Sequence, residues 1–236
     1  MPNSKEEFIK ILEGIKPSKS THEIFSDWLI MTAAALYSWK KDDGVENEYK
    51  EIAKHYSSEE LRKHQQLFEI TINALEEKAR DFLGDIFTTA NLTNSKTAQF
   101  FTPYHVSQMM AEMIIGGDEF PKSKICKVCD PCCGAGGLLI AGAMAMKERG
   151  FNYQRNAFFV GTDIDARCAR MTFIQLSLLG APAVIICGNS LSNEIFWERE
   201  TIGYYLAGMN FRLRSSREME EIKINPSSNC AQGELF

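Results

Sequence analysis

The stretch KICKVCDPCCGAGG, residues 124–137, places four cysteines in eight positions and then turns to glycine. Two readings compete for it. One is a metal site with Cys-x-x-Cys-x-x-Cys spacing, the other a strand followed by a loop that lets a ligand approach the backbone. Strand periodicity separates them. Side chains alternate between the two faces of an extended chain, so Cys126 and Val128 point one way and Cys129 the other. The three spaced cysteines meet at one ion only if the strand is broken. A ferredoxin-type run also needs a fourth cysteine at the position held by Gly136. No second cysteine pair or histidine cluster follows at zinc-site spacing. These cysteines are expected to be small buried hydrophobes, with no metal bound.

The glycines carry the second reading. Asp130 ends the strand, and Gly134, Gly136 and Gly137 let the chain turn tightly and admit a ligand against bare backbone. The helix that follows, LLIAGAMAMKERG, offers its N-terminus to that ligand. The spacing is not the dinucleotide fingerprint. Leu139 takes the slot of the third glycine, and the acid after the next strand, Asp163, comes late. A glycine-rich turn without a ligand stays open at this point.

Outward from the loop the pattern repeats. NAFFVGTDID (156–165) reads as a second strand, ARCARMTFIQLSLLG (166–180) as a helix, and PAVIICGNS (182–190) as a third strand. Strands alternating with helices predict a parallel sheet with helical crossovers. Upstream, FFTPYHVSQMMAEMII (100–115) predicts a helix with Thr102 as N-cap and Pro103 at its first position. The first hundred residues read as helices. Ser4 with Glu7, Ser20 with Glu23, and Ser57 with Glu60 each fit a capping box, in which hydroxyl and carboxyl satisfy each other's backbone N–H. Phe25, Trp28, Leu29, Ala33 and Leu36 recur at helical spacing, as do Leu61, Phe68, Ile72 and Leu75. KDDGVENE (41–48) and ANLTNSK (90–96) read as polar breaks. The expected division is a helical region over 1–97, an α/β core over 98–191, and a cover segment with a tail over 192–236.

Bulk properties narrow the class. The chain has 236 residues, 44% of them hydrophobic, enough for a sizeable buried core. A net charge of −5 gives no global nucleic-acid signature, so any such contact must come from a local patch or a partner subunit. The opening MPNSKEEF lacks a basic segment followed by an apolar one. The longest apolar stretch, IFSDWLIMTAAALYSW, is short of a bilayer span and carries Asp27. Seven cysteines is an odd number, and their crowding does not resemble a secreted disulfide framework. The expectation is a cytoplasmic protein without a membrane span.

Taken in order, Asp81–Phe87 (DFLGDIF), Gln99–Pro103 (QFFTP), Asp130–Gly137 (DPCCGAGG), Asp163 and Gly188–Leu191 (GNSL) resemble S-adenosylmethionine-dependent, adenine-specific DNA methyltransferases. The likeness is nearest to the modification subunits of type I restriction systems. It implies a helical N-terminal region followed by a Rossmann-like methyltransferase sheet of the α/β class, with S-adenosylmethionine as cofactor. It also implies roles. Thr102 would hold the methionine carboxylate at the start of its helix, and Asp130 would face the methionine ammonium. Gly134 and Gly136 would pass close to the sulfonium side, Asp163 would accept from the ribose hydroxyls, and Asn189 from the adenine amine. Phe101, Pro103, Pro131, Cys132 and Ile164 complete the implied cofactor set. A solvated strand end is the alternative for each acid, and a turn residue for Asn189.

The family's catalytic element, (N/D)PP(Y/F), is not found. Asn225-Pro226 in KINPSSN lacks the second proline and the aromatic ring, and the preceding SREMEEIK is charged, unlike a buried strand. Residues 192–236 read as too short to finish a seven-stranded methyltransferase sheet, so the sheet is expected to be truncated. FWERETIGYYLAGMNFRLRSSR reads either as a nucleic-acid contact or as a cover over the sheet. Two functions follow: an adenine DNA methyltransferase acting on DNA directly or through a partner subunit, or a non-catalytic, cofactor-binding subunit of a DNA modification or replication-associated complex. The final QGELF resembles a peptide that docks on the bacterial sliding clamp through Gln232, Leu235 and Phe236.

Overall fold

The computed structural model describes residues 4–16, 18–90, 92, 101–115 and 125–212. The motif Asn225-Pro226 and the tail residues Gln232, Leu235 and Phe236 lie outside them, as do Gln99 and Phe100. Contacts divide the chain into two compact units, Met1–Phe101 and Thr102–Phe236.

The first unit holds helices α1 (Ser4–Glu13), α2 (Thr21–Tyr37), α3 (Asp43–Ala53), α4 (Ser58–Glu77) and α5 (Phe82–Thr89). Two of the three expected capping boxes form. Ser20 and Ser57 each accept from the third helical N–H, while Glu23 and Glu60 reach back to the cap backbone. Ser4 instead lies inside α1, so the third box does not form. KDDGVENE is corrected as well. Asp42 accepts from the N–H groups of Gly44 and Val45 and starts α3, a helix the sequence reading passed over because none of its residues is buried. The core is aromatic: Phe8 meets Trp28 edge to face at 5.3 Å and Phe82 at 6.0 Å, and Phe25 packs on Trp28 and Phe87.

The second unit runs α6 (Tyr104–Ile115), β1 (Cys126–Asp130), α7 (Gly137–Glu148), α8 (Tyr153–Asn156), β2 (Ala157–Asp163), α9 (Ala166–Leu178), β3 (Ala183–Asn189), β4 (Glu194–Glu200) and α10 (Ile202–Arg212). The α6 helix begins one residue later than expected, with the Pro103 carbonyl accepting its first bond from Val106. Among the described residues the sheet order is β1-β2-β3-β4. β1, β2 and β3 are parallel, joined by helical crossovers, and β4 turns back antiparallel to β3. This is an α/β, Rossmann-like fold preceded by helices, as expected. The antiparallel strand was not foreseen, because residues 194–200 were read as part of a cover.

Each sheet face has its own packing. Phe158, Val160, Val184 and Ile186 form one face, with Cys129 and Tyr204 packed against them. Val128, Phe159 and Ile185 point the other way, where Leu139 of α7 and Cys133 approach Gly161. Cys126 and Cys129 thus sit on opposite faces, as a period of two requires. No helix among the described residues is long and apolar enough to cross a membrane.

Candidate functional site

The carboxyl ends of the parallel strands share one edge of the sheet, and those of β1 and β2 bond to the glycine loop, where α/β sheets generally bind ligands. β1 delivers Asp130, β2 delivers Asp163 and Ile164, and β3 delivers Asn189. The loop between β1 and α7 is tied down from several sides. Asp130 Oδ1 accepts from the Cys132 N–H at 3.0 Å. The Cys133 N–H donates to the Thr162 carbonyl at 2.9 Å, and the Gly136 N–H to the Cys133 carbonyl at 2.8 Å. Gly134 N–H donates to Asp163 Oδ2 at 2.9 Å, and Asp163 Oδ1 takes the Asp165 N–H at 2.9 Å. Gly134 and Gly136 have φ of 55° and 91°, left-handed values that explain both glycines.

From the α9 side, Thr172 Oγ1 donates to the Gly134 carbonyl at 2.9 Å and Gln175 Nε2 to the Ala135 carbonyl at 2.8 Å. Neither residue was singled out from sequence. Both sit in ARCARMTFIQLSLLG as ordinary polar positions of a helix, and no local signal marks them, since their partners lie far back in the chain.

The electrostatics are acidic. Burial pushes the Asp130 carboxyl above its usual range, and the neighbouring Asp163 charge adds to that, against the Cys132 N–H. Burial likewise raises Asp163, opposed by the N–H groups of Asp165 and Gly134. Two part-buried carboxyls with loop N–H groups already committed suit a cationic ligand and give a pyrophosphate few donors. The thiols are quiet: burial raises Cys133 and Cys168 well above the ordinary thiol range, and Cys187 to about 11. Cys126, Cys132, Cys133, Cys168 and Cys187 form no disulfide, and only Cys132 of these is exposed. Among the described residues no group of three or more His, Cys, Asp or Glu could hold a metal ion.

The expected site residues fall as follows. Asp130, Pro131, Cys132, Gly134, Gly136, Asp163 and Ile164 gather around the loop, with Pro131, Cys132 and Ile164 exposed. Ile164 leaves its apolar side chain 61% exposed at the end of β2. Asn189 ends β3 and ties down the turn that follows. Its Oδ1 accepts from the Leu191 and Ser192 N–H groups at 3.0 and 3.3 Å, so the oxygen offered to an adenine amine is already engaged. Thr102 and Pro103 are exposed directly ahead of α6. Phe101 belongs to the helical unit, its ring edge-on to Phe87 at 5.3 Å.

Comparison with known proteins adds a family. Residues 78–228 match the model of the N-6 DNA methylases. No curated protein matches the chain. Among solved structures, a type I restriction-modification methyltransferase subunit from Streptococcus thermophilus is similar at 14% identity and a TM-score of 0.40, over 76% of this chain and 55% of that one. A Listeria monocytogenes protein described as a class I S-adenosylmethionine-dependent methyltransferase is similar at 17% identity and a TM-score of 0.36, over 76% of this chain and 51% of that one. The chain thus spans about half the length of these two solved proteins.

Proposed function

The chain belongs to the N-6 DNA methylase family, and from that premise we propose that its second unit binds S-adenosylmethionine and serves methyl transfer to the exocyclic amine of adenine in DNA. One observation carries the cofactor reading: the β1–α7 loop commits the N–H groups of Cys132, Cys133, Gly134 and Gly136 internally and sets two part-buried carboxyls beside the glycines. Such a pocket favours an ammonium and a sulfonium over phosphates. Asp130 would pair with the methionine ammonium. Asp163, with two of its four acceptor positions spent on backbone, keeps capacity for ribose hydroxyls. Gly134 would leave no side chain between the loop and its ligand, Gly136 lets α9 pack against the loop, and Ile164 would offer an apolar surface to the adenine ring. Thr102, at the head of α6, would hold the carboxylate. When bound, the cofactor supplies an electrophilic methyl group.

Calorimetry tests this directly. Heat and a thermal shift are expected with S-adenosylmethionine and with its demethylated product, and neither with NAD or ATP. Absence of both effects at millimolar cofactor would remove the reading.

The second reading, a non-catalytic cofactor-binding subunit, rests on the missing (N/D)PP(Y/F) element. Transfer of tritiated methyl from the cofactor to mixed-sequence DNA separates the two. Turnover by the chain alone favours the enzyme. Cofactor binding without turnover favours the subunit, and restored turnover on adding a partner would identify what it lacks. Docking of Gln232, Leu235 and Phe236 on a sliding clamp is a separate proposal. Deletion of these residues should abolish clamp capture and leave cofactor binding intact.

A further inference from the structure

Thr172 and Gln175 lie one turn apart on α9, so their side chains share a face. Both are fully buried, at 0% exposure. Apolar residues would fill that space without burying polar groups, so two polar side chains there need partners. A helical threonine commonly returns its hydroxyl to the carbonyl four residues back. Thr172 instead reaches across to the Gly134 carbonyl, and Gln175 to the Ala135 carbonyl, spanning 38 and 40 residues of sequence. A β-carbon at position 136 would stand 3.1 Å from the Thr172 side chain, so the glycine also lets α9 approach this closely.

We propose that Thr172 and Gln175 are positioning residues that set the two peptide planes of the Gly134–Gly136 loop; the inference rests on reading that loop as the cofactor loop. In a trans peptide the N–H lies opposite the carbonyl. Holding the Gly134 carbonyl against α9 therefore turns the Ala135 N–H to the side away from that helix. Holding the Ala135 carbonyl there turns the Gly136 N–H toward the Cys133 carbonyl, which it meets at 2.8 Å. The Asp163 carboxylate fixes the Gly134 N–H from the third side. The loop thus enters binding already in one conformation, and no ligand energy is spent ordering it.

The test is site-resolved amide exchange on the whole chain, combined with calorimetry using S-adenosylhomocysteine. Thr172→Val keeps the shape and loses the hydroxyl. It is expected to speed exchange at Gly134, Ala135 and Gly136 about tenfold, to leave Ile140 of α7 and Val160 of β2 within about twofold, and to weaken the ligand about tenfold. Thr172→Ser, which keeps the hydroxyl, should rescue both readouts. Gln175→Met should speed the same loop amides, and it carries the test if Thr172→Val does not fold. Unchanged loop exchange, or uniform acceleration across α7 and β2, overturns the proposal. If the unaltered chain binds no S-adenosylhomocysteine, the cofactor reading fails, and the exchange result still decides the positioning.

Discussion

Asp163, at the end of β2, holds the Gly134 N–H of the preceding crossover loop at 2.9 Å, and its other oxygen holds the N–H of Asp165. One carboxylate thus joins the loop to the start of α9. Both oxygens are acceptors facing backbone donors, which makes asparagine a poor substitute. Its amide offers one acceptor and would press an NH2 group against an N–H. Asp163→Asn should therefore cost nearly as much as Asp163→Ala, about 1–3 kcal/mol for each in urea unfolding. An asparagine variant as stable as the parent would show that the second hydrogen bond contributes nothing.

The proposed pairing of Asp130 with the methionine ammonium predicts a pH-dependent cofactor affinity. Burial and then the Asp163 charge raise its carboxyl, so it takes up a proton earlier on acidification than an ordinary aspartate does. The protonated form cannot pair with an ammonium. Affinity for S-adenosylmethionine should fall as pH drops from 7 through the raised range of Asp130. Asp130→Asn should bind about 100-fold more weakly at pH 7 and lose this dependence. An equal slope in parent and variant, read by calorimetry at several pH values, would assign the titration elsewhere.

The strand–loop–helix run from Cys126 to Asn189 was legible because its signals are local. Buried parallel strands read as short apolar runs, and left-handed turns demand glycine. What failed to register depends on partners distant in sequence. Residues 194–200, EIFWERE, carry four charges and resemble a solvated surface. They form a strand because β3 offers a free edge, with Cys187 opposite Trp197 and Ile185 opposite Arg199. The guanidinium of Arg199 lies over the Trp197 ring at 5.0 Å, and that of Arg170, from the distant helix α9, at 5.5 Å, a contact that no short window of sequence contains. Asn189 was ambiguous for the opposite reason. A turn and an adenine contact ask for the same side chain, and the Leu191 and Ser192 bonds it accepts are not visible in the sequence.

Gly188 belongs to the GNSL phrase, and its packing explains it. A β-carbon there would sit 2.3 Å from the Glu194 carbonyl oxygen, at the irregular step in the β3–β4 register. The obstacle is backbone, which cannot swing aside as a side chain would. Gly188→Ala should destabilise the second unit by about 1–3 kcal/mol through overpacking. Urea unfolding checks it. An unaltered midpoint would mean that the hairpin shifts at no cost.

His64, on α4, is 6% exposed, and neither ring nitrogen has a hydrogen-bond partner among the described residues. Its ring stands edge-on to Tyr56 at 4.6 Å. The nearby Asp27 is already engaged, accepting from the Tyr56 hydroxyl at 2.7 Å and from Lys19 at 2.5 Å. Burial lowers the imidazole to about 4; the Asp27 and Glu60 charges oppose the shift and Lys19 adds to it. The folded state thus resists a proton that the unfolded chain accepts near 6.5. Stability contributed by the neutral ring is complete above about pH 6.5 and is lost as pH falls toward 4. The helical unit should lose about 2 kcal/mol between pH 7 and pH 5 from this residue alone. His64→Phe should be less pH-sensitive by that amount across the same interval, whatever its absolute stability. The measurement is urea unfolding in a Trp197→Phe background, where the remaining tryptophans, Trp28 and Trp39, both report on the helical unit. Parallel pH profiles for the two proteins would mean that His64 gains a proton as easily folded as unfolded.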